Sequence, residues 1–155
     1  TSMYARDSVD VLKRLFDLGS DPFIVGDSVR LVMAQRLVKK LCTCARPAIP
    51  EKTVLEFARK AVSSAKIDWE SLPQSYKEPV GCEKCNGTGF RGRTLLLEAM
   101  EMTREIASAL RQKADVDKIR TLAIDQGMVP MSVQGIQKAL SGEVTLSEVF
   151  SMLSL

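Results

Sequence analysis

Residues Gly81–Arg93 read GCEKCNGTGFRGR, the most distinctive stretch of the chain. It combines a Cys-x-x-Cys pair with two glycines at alternate positions, an aromatic residue and a paired Arg-Gly-Arg. Three interpretations are open for such a stretch: a redox centre, half of a metal site, or a glycine-rich loop that holds phosphate. The other residues of the chain distinguish between them.

The composition is that of a globular protein. The chain has 155 residues, the length of one ordinary domain or of two small subdomains with a shared core. Apolar residues make up 45% and charged residues 26%, which is unlike a disordered or a membrane-spanning chain. No apolar run approaches the ~20 residues that span a bilayer, and residues 1–10 lack the apolar core of a signal peptide. We therefore expect neither direct membrane insertion nor export.

Charge and histidine content narrow the possible functions further. The net charge of +3 is mild, and basic residues alternate with acidic ones along most segments, as on solvated helix faces. We therefore expect no nucleic-acid partner. The chain contains no histidine, which excludes Ser-His-Asp and Cys-His catalysis within it and any mixed Cys/His metal site.

The four cysteines form two close pairs. Cys42 and Cys44 stand in a Cys-x-Cys, and Cys82 and Cys85 in a Cys-x-x-Cys, with a long segment between the pairs. Two tight turns that each supply two thiolates are typical of a closed tetrahedral zinc site with a structural role. The Cys-x-Cys pair has one residue between its cysteines, where the usual Cys-x-x-Cys has two, so its two sulfurs must bind one ion through a shorter loop. Reduced cysteines without a metal are the main alternative.

The two other interpretations of Gly81–Arg93 are weaker. A thioredoxin-like redox motif is expected within a βαβ pattern, and none surrounds this pair. A phosphate loop needs the spacing GxxxxGK[ST], which no stretch of the chain supplies. We therefore assign Gly87 and Gly89 to the turn of a metal knuckle, where the backbone can curl and aim N–H groups at the sulfurs.

Hydrophobic periodicity predicts a mainly helical chain with a small sheet. Residues 35–42, which also fit a helix end, and residues 93–100 are predicted to be paired strands. After a turn or helix start at Asp21–Pro22, the valines at 25, 29 and 32 and Met33 are expected to continue a helical stripe. The other helices are predicted to begin after Asp7 or Ser8, at residues 51–62, after Thr103, after Asp115, at residues 131–140 and after a capping box at Thr145–Glu148.

Several motifs together carry a family resemblance. QRLVKKLC, GCEKCNGTGFRGRTLLLEAM and IRTLAIDQGMVPMSVQGIQKALSGEVTLSEVF resemble, in this order, the C-terminal third of the type II secretion and type IV pilus assembly ATPases. The opening DSVDVLKRLFDLGSDPFIVGDSVRLVMAQRL is similar to the end of their RecA-like core. The resemblance implies an α+β fold with a small antiparallel sheet. It also implies three parts: the end of a RecA-like P-loop NTPase core at 1–41, a tetracysteine zinc subdomain at 42–92, and a strand with a helical tail at 93–155.

The resemblance also implies site residues and partners. The family's zinc ligands correspond to Cys42, Cys44, Cys82 and Cys85, and its Gln-Arg-Leu segment places Gln35 and Arg36 near nucleotide. Its Walker A and Walker B motifs are missing here, so ATP and Mg²⁺ are expected only in a full-length parent, and this chain alone is expected to be inactive. The implied partners are like subunits in a hexamer and secretion or pilus platform proteins, at the cytoplasmic face of the bacterial inner membrane.

Two other functions fit parts of the pattern. CEKCNGTG resembles one unit of the cysteine-rich region of DnaJ-type chaperones, which would make the chain a zinc-stapled adaptor, although that module needs repeats. A zinc ribbon that binds nucleic acid would need an aromatic and basic surface. Arg91 and Arg93 are the one cluster in the sequence that supports this interpretation.

Overall fold

The structure, a computed structural model, describes residues 1–153 and confirms a mainly helical α+β chain. None of the helices in that range has both the length and the apolar character that a membrane crossing requires. The helices are α1 (Ser8–Asp17), α2 (Pro22–Ser28), α3 (Lys52–Ser64), α4 (Arg104–Arg111), α5 (Val116–Asp125), α6 (Met131–Leu140) and α7 (Leu146–Leu153). The strands are β1 (Leu31–Leu41), β2 (Arg46–Pro47), β3 (Lys77–Glu78) and β4 (Phe90–Glu101), and single 3-10 turns lie at Trp69–Ser71 and Glu83–Cys85.

The two long strands pair with each other, as expected for residues 35–42 and 93–100. At one end of the pair, the N–H of Met102 donates to the carbonyl of Arg30 at 2.9 Å. At the other end, the N–H of Cys42 donates to the carbonyl of Gly89 at 2.9 Å. Because the residue numbers rise along one strand and fall along the other, β1 and β4 are antiparallel. The short strands β2 and β3 form a second antiparallel pair.

The expected helical stripe through Val25, Val29, Val32 and Met33 is wrong beyond its first member. Helix α2 ends at Ser28, and Val29 already has extended backbone angles, with φ −78° and ψ 134°. Val32 is buried in β1, whereas the side chain of Met33 is 60% exposed on the opposite face. The spacing of the valines fits a helix, but β-branched residues also favour strands, and pairing with β4 decides the outcome.

One compact unit comprises residues 1–35 and 97–130. In it, α2 and α5 both pack on α4, and α1 packs on α5. Gly26 brings α2 close to α4, since a Cβ on Gly26 would lie 3.4 Å from the Cβ of Ala107. The N-termini of α1 and α4 are capped by Asp7 and Thr103, as expected. The largest fully buried side chains of this unit are Leu12, Met100, Ile106, Leu110 and Ile119.

The second compact unit comprises residues 36–96 and, of the residues that the structure describes, 131–153. Helix α6 packs on both α3 and α7. Gly135 allows the close approach to α7, because a Cβ there would lie 2.6 Å from Cγ1 of Val149. The hydroxyl of Thr145 accepts the N–H of Glu148 at 3.1 Å, so the predicted cap of α7 is present. The three-part division at 1–41, 42–92 and 93–155 stays a prediction.

Candidate metal centre

Two short segments of the second unit carry the four cysteines. Cys42 follows the last residue of β1, and Cys44 lies in the turn after it. Cys82 and Cys85 bracket the 3-10 turn at Glu83–Cys85, just before β4 begins. The hydrogen bond from the N–H of Cys42 to the carbonyl of Gly89 ties the two segments together. The pairing of β1 with β4 therefore brings the two cysteine pairs to the same place.

The four sulfurs form one cluster. All four Sγ atoms lie within 4.8 Å of one another. The Sγ–Sγ distance is 3.9 Å from Cys42 to Cys82, 3.9 Å from Cys44 to Cys85 and 3.7 Å from Cys82 to Cys85. A regular tetrahedron with metal–sulfur bonds of ~2.3 Å has an edge of about 3.8 Å. The spacing of the sulfurs thus fits a tetrahedral metal ion.

Glycines shape the knuckle that carries the second pair. Gly87 and Gly89 both have a φ of +76°, a backbone conformation that favours glycine. Gly89 also packs tightly, since a Cβ there would lie 2.3 Å from the Cβ of Pro79. Gly81 is equally confined, because its Cβ would lie 2.5 Å from the carbonyl oxygen of Gly87. No other residue type fits at Gly81 or Gly89 without a shift of the backbone.

Backbone N–H groups point at the sulfurs. The N–H groups of Cys82 and Gly89 donate to Cys85 Sγ at 3.1 and 3.2 Å. Gly89 thus plays the predicted role, whereas the N–H of Gly87 donates instead to the carbonyl of Cys82 at 3.0 Å. Gly81 was not predicted from the sequence, yet its backbone N–H favours the charged form of the Cys44 thiol and so lowers its pKa. Its place directly before the Cys-x-x-Cys is the signal that could have indicated it.

These contacts set the acidity of the thiols. Burial opposes the charge of Cys85, but the N–H groups of Cys82 and Gly89 outweigh it and lower the pKa of Cys85 to about 6. The N–H of Cys44 lowers the pKa of Cys42. Burial raises the pKa of Cys44 to about 11, against the N–H of Gly81. Each segment therefore holds one cysteine whose pKa is lowered.

The predicted nucleotide contacts lie elsewhere. Gln35 and Arg36 are neighbours in the middle of β1, where successive side chains point to opposite faces. Gln35 is exposed and Arg36 is half-buried. Cys42 lies six positions after Arg36 along extended backbone, a distance of about 20 Å. The pair is therefore not part of the sulfur cluster, and its contact with nucleotide stays a prediction.

Comparison with known proteins shows the family of this chain. The family model described as "Type II/IV secretion system protein" matches residues 1–151. The chain belongs to this type II/IV secretion system family. Similar members include the type IV pilus assembly ATPase PilB of Myxococcus xanthus, which is 30% identical over 152 residues, and type II secretion system protein E of Aeromonas hydrophila, which is 32% identical over 150 residues. Both alignments cover 96% of this chain.

The chain is much shorter than the curated relatives that it matches. The alignments span 26% of the Myxococcus PilB and 28% of the Aeromonas protein. The type IV pilus assembly ATPase TfpB of Acinetobacter baylyi is 29% identical over all of this chain, which again is 26% of that relative. The chain thus spans about a quarter of the length of these curated relatives. The resemblance of the sequence to secretion and pilus ATPases is confirmed at the level of the family.

Proposed function

We propose that this chain is the zinc-stapled C-terminal portion of a motor ATPase that drives pseudopilus or pilus assembly. The family match over residues 1–151 and the geometry of the four sulfurs support the proposal. The match favours it over a DnaJ-like adaptor, whose resemblance is confined to residues 82–89. In this proposal, ATP and Mg²⁺ bind to the longer protein, whose subunits form a hexamer beside platform proteins at the cytoplasmic face of the inner membrane.

The metal is proposed to be structural. Four protein thiolates fill a tetrahedral shell, so a bound ion keeps no open position for water or substrate. Zinc suits this donor set because it prefers tetrahedral thiolate coordination and has no redox chemistry of its own. When bound, the ion would supply four bonds that join the end of β1 to the knuckle at residues 82–89. The N–H donors to Cys85 and Cys44 would offset part of the negative charge of the thiolates.

The single observation that carries the metal site is the sulfur cluster, in which all four Sγ atoms lie within 4.8 Å of one another and three of the pairs are 3.7–3.9 Å apart. Elemental analysis of protein prepared without chelators should find about one zinc per chain, as expected for one tetrahedral site. A Cys44→Ser variant should lose most of that zinc. Thr43→Ser, which changes the residue between the two cysteines and keeps all four sulfurs, is the matched control. Zinc far below one per chain in the unaltered protein would contradict the proposal.

The motor function has its own test. We expect this chain alone to hydrolyse no ATP above a no-enzyme control, because the phosphate cradle and the Mg²⁺ ligand are not among its residues. In the longer protein, Cys42→Ser with Cys44→Ser should reduce both ATP hydrolysis and filament assembly, whereas Thr43→Ser should leave both unchanged. ATPase activity and assembly that survive the loss of zinc would contradict the proposed role of the staple.

The nucleotide contact of Gln35 and Arg36 is part of the same proposal. Replacing either by Ala in the longer protein should raise the KM for ATP if its side chain touches nucleotide. Lys13→Ala, an exposed change in α1, serves as the control. An unchanged KM with reduced stability would assign the two residues a structural role instead.

A further inference from the structure

We propose that the four-cysteine cluster is also a redox site, in which Cys42 pairs with Cys82 and Cys44 pairs with Cys85 on oxidation. The proposal deepens the proposed metal site, since it uses the same four sulfurs. It holds for the metal-free protein as well as for the metal-loaded one, so the two ideas can fail separately.

Ring size, and not distance, favours this pairing, since the sulfurs of Cys82 and Cys85 lie as close together, at 3.7 Å. The sulfurs of Cys42 and Cys82 are 3.9 Å apart, and so are those of Cys44 and Cys85. A disulfide bond is about 2.05 Å long, so each pair must close by roughly 1.9 Å. Both contacts exist at the same time and use all four sulfurs. Pairing Cys82 with Cys85 instead would leave Cys42 to close a small ring with Cys44 across a single residue.

The exposure of the sulfurs gives each pair an order of events. Cys44 and Cys82 are partly exposed, whereas Cys42 and Cys85 are buried. Each proposed disulfide therefore joins one partly exposed cysteine to one buried cysteine. This is the arrangement of an attacked and a resolving cysteine.

The chemistry balances with a peroxide as the oxidant. The Cys82 sulfur attacks one oxygen of hydrogen peroxide, the O–O bond breaks, and the thiol proton leaves with the departing oxygen as water, so that Cys82 becomes a sulfenic acid. The Cys42 sulfur then attacks the Cys82 sulfur, the S–S bond forms, and the sulfenic oxygen leaves as a second water. Two thiols and one peroxide thus give one disulfide and two waters. Cys44 and Cys85 repeat the sequence with a second peroxide.

Oxidation in this pairing preserves the connection between the two cysteine segments. Both disulfides join the turn after β1 to the knuckle before β4, where the metal would join them in the reduced protein. The hydrogen bond from Cys42 to the carbonyl of Gly89 already holds these segments in register. A bound ion would lose all four ligands and be released, while the fold around it is retained. Release of metal without unfolding is the expected signature.

The test oxidises the full chain with hydrogen peroxide, once as zinc-loaded protein and once after removal of metal with EDTA. Two equivalents of peroxide should convert all four thiols in both samples, counted after denaturation with a chromogenic thiol reagent. A chromogenic chelator should detect the zinc released from the loaded sample. Chains that link into dimers on a non-reducing gel, or cysteines found as sulfinic acid, would overturn the proposal.

Trypsin separates the relevant cysteines, which makes the pairing readable by mass spectrometry. Cleavage after Lys84 puts Cys82 and Cys85 on different peptides, whereas Cys42 and Cys44 stay together on residues 41–52. The proposed pairing joins all three peptides into one species. Fragmentation of the backbone between Cys42 and Cys44 then identifies which of these two cysteines is disulfide-bonded to the peptide 78–84, which contains Cys82. A species containing only residues 78–84 and 85–91 would overturn the proposal.

Two double variants give a matched comparison in proteins that both lack a four-sulfur site. Cys42→Ser with Cys82→Ser leaves Cys44 and Cys85, which should close an intramolecular disulfide. Cys42→Ser with Cys85→Ser leaves Cys44 and Cys82, both partly exposed and assigned to different disulfides. The first variant should form its disulfide at least tenfold faster. Equal rates would overturn the pairing, and the peptide map of the unaltered protein decides the matter if either variant fails to fold. Zinc analysis of untreated protein tests the metal site independently.

Discussion

The carboxylate of Glu98 accepts the backbone N–H of Ser8 at 2.9 Å, and both residues are almost fully buried. The hydroxyl of Ser8 donates to the same oxygen. Ser8 is the first residue of α1, so the contact places a carboxylate of β4 at the N-terminus of that helix. A negative charge is favourable there because it meets unpaired N–H groups and the positive end of the helix dipole.

Substitution of Glu98 should therefore destabilise the protein according to how much acceptor it removes. Glu98→Gln keeps an acceptor oxygen and should lower the free energy of unfolding by about 1–2 kcal/mol. Glu98→Leu leaves two buried donors of Ser8 without this acceptor and should cost about 2–4 kcal/mol. Urea unfolding followed by circular dichroism measures both. Glu101→Gln, at an exposed position of the same strand, should change stability by less than about 0.5 kcal/mol. Equal effects at the two positions would contradict the role of Glu98.

Gly89 should be essential to the metal centre, and Gly92 should not. Both have positive φ, +76° and +80°, so alanine strains the backbone at either position by about 1 kcal/mol. At Gly89 the added Cβ also meets Pro79, whereas at Gly92 nothing lies within 4 Å. That clash should displace the backbone N–H that Gly89 donates to Cys85, so Gly89→Ala should weaken zinc affinity at least tenfold, as is typical for the loss of an outer contact to a metal ligand. Chelator competition measures the affinity, and equal values for the two variants would contradict this account.

Glu143 should add stability that is lost in acid. Partial burial works against its charge, but the Lys138 ammonium, 2.9 Å away, holds the pKa of Glu143 below its usual value. A carboxylate with a lowered pKa in the folded state stabilises above its unfolded pKa, and that stability disappears as pH falls through the folded pKa. Between about pH 5 and pH 3, Glu143→Gln should therefore lose less stability than the unaltered protein, by up to about 1 kcal/mol. Thermal unfolding against pH measures the difference, and Glu56→Gln, in an exposed pair with Lys52, is the control.

Lys113→Gly should stabilise the protein although it removes a side chain. Lys113 follows α4 with a φ of +54°, a left-handed conformation that costs a non-glycine residue about 1 kcal/mol. Glycine avoids that strain, and after its larger unfolded-state entropy is subtracted the gain should be about 0.5 kcal/mol. The same change at Lys118, an exposed position inside α5, should instead cost about 1 kcal/mol. Effects of the same sign at both positions would show that φ is not the cause.

The sulfur cluster could be predicted because cysteine spacing is local information. Two pairs in tight turns indicate a metal site whatever the fold, and the short apolar run at residues 93–100 has a partner segment of matching length at residues 35–42. The contribution of Gly81 could not be predicted, because its N–H reaches Cys44 only after the two segments meet. The spacing of residues in the sequence does not show that these two segments come together in the fold.

Glu98 and Val32 show what a pattern of residue types cannot decide. An acidic residue in a strand is expected to face water, but Ser8 at the start of α1 supplies donors to the buried carboxylate of Glu98. Val32 fits a helical stripe and a strand equally well by spacing. Its strand conformation depends on β4, which lies more than fifty residues further along the chain. Long-range partners decided both cases.

Cys42 lies at the end of the β1–β4 strand pair and is also one of the four clustered cysteines. This double position affects how the protein folds. Strands β1 and β4 are joined by almost fifty residues, so their pairing is a contact of high sequence separation, of the kind that slows folding. A link between Cys42 and Cys85 through metal reduces the effective connection to a handful of residues. The closure entropy saved is about 2 kcal/mol for a flexible loop. If the metal binds early in folding, β1 and β4 would pair through a short connection, as the two strands of a β-hairpin do.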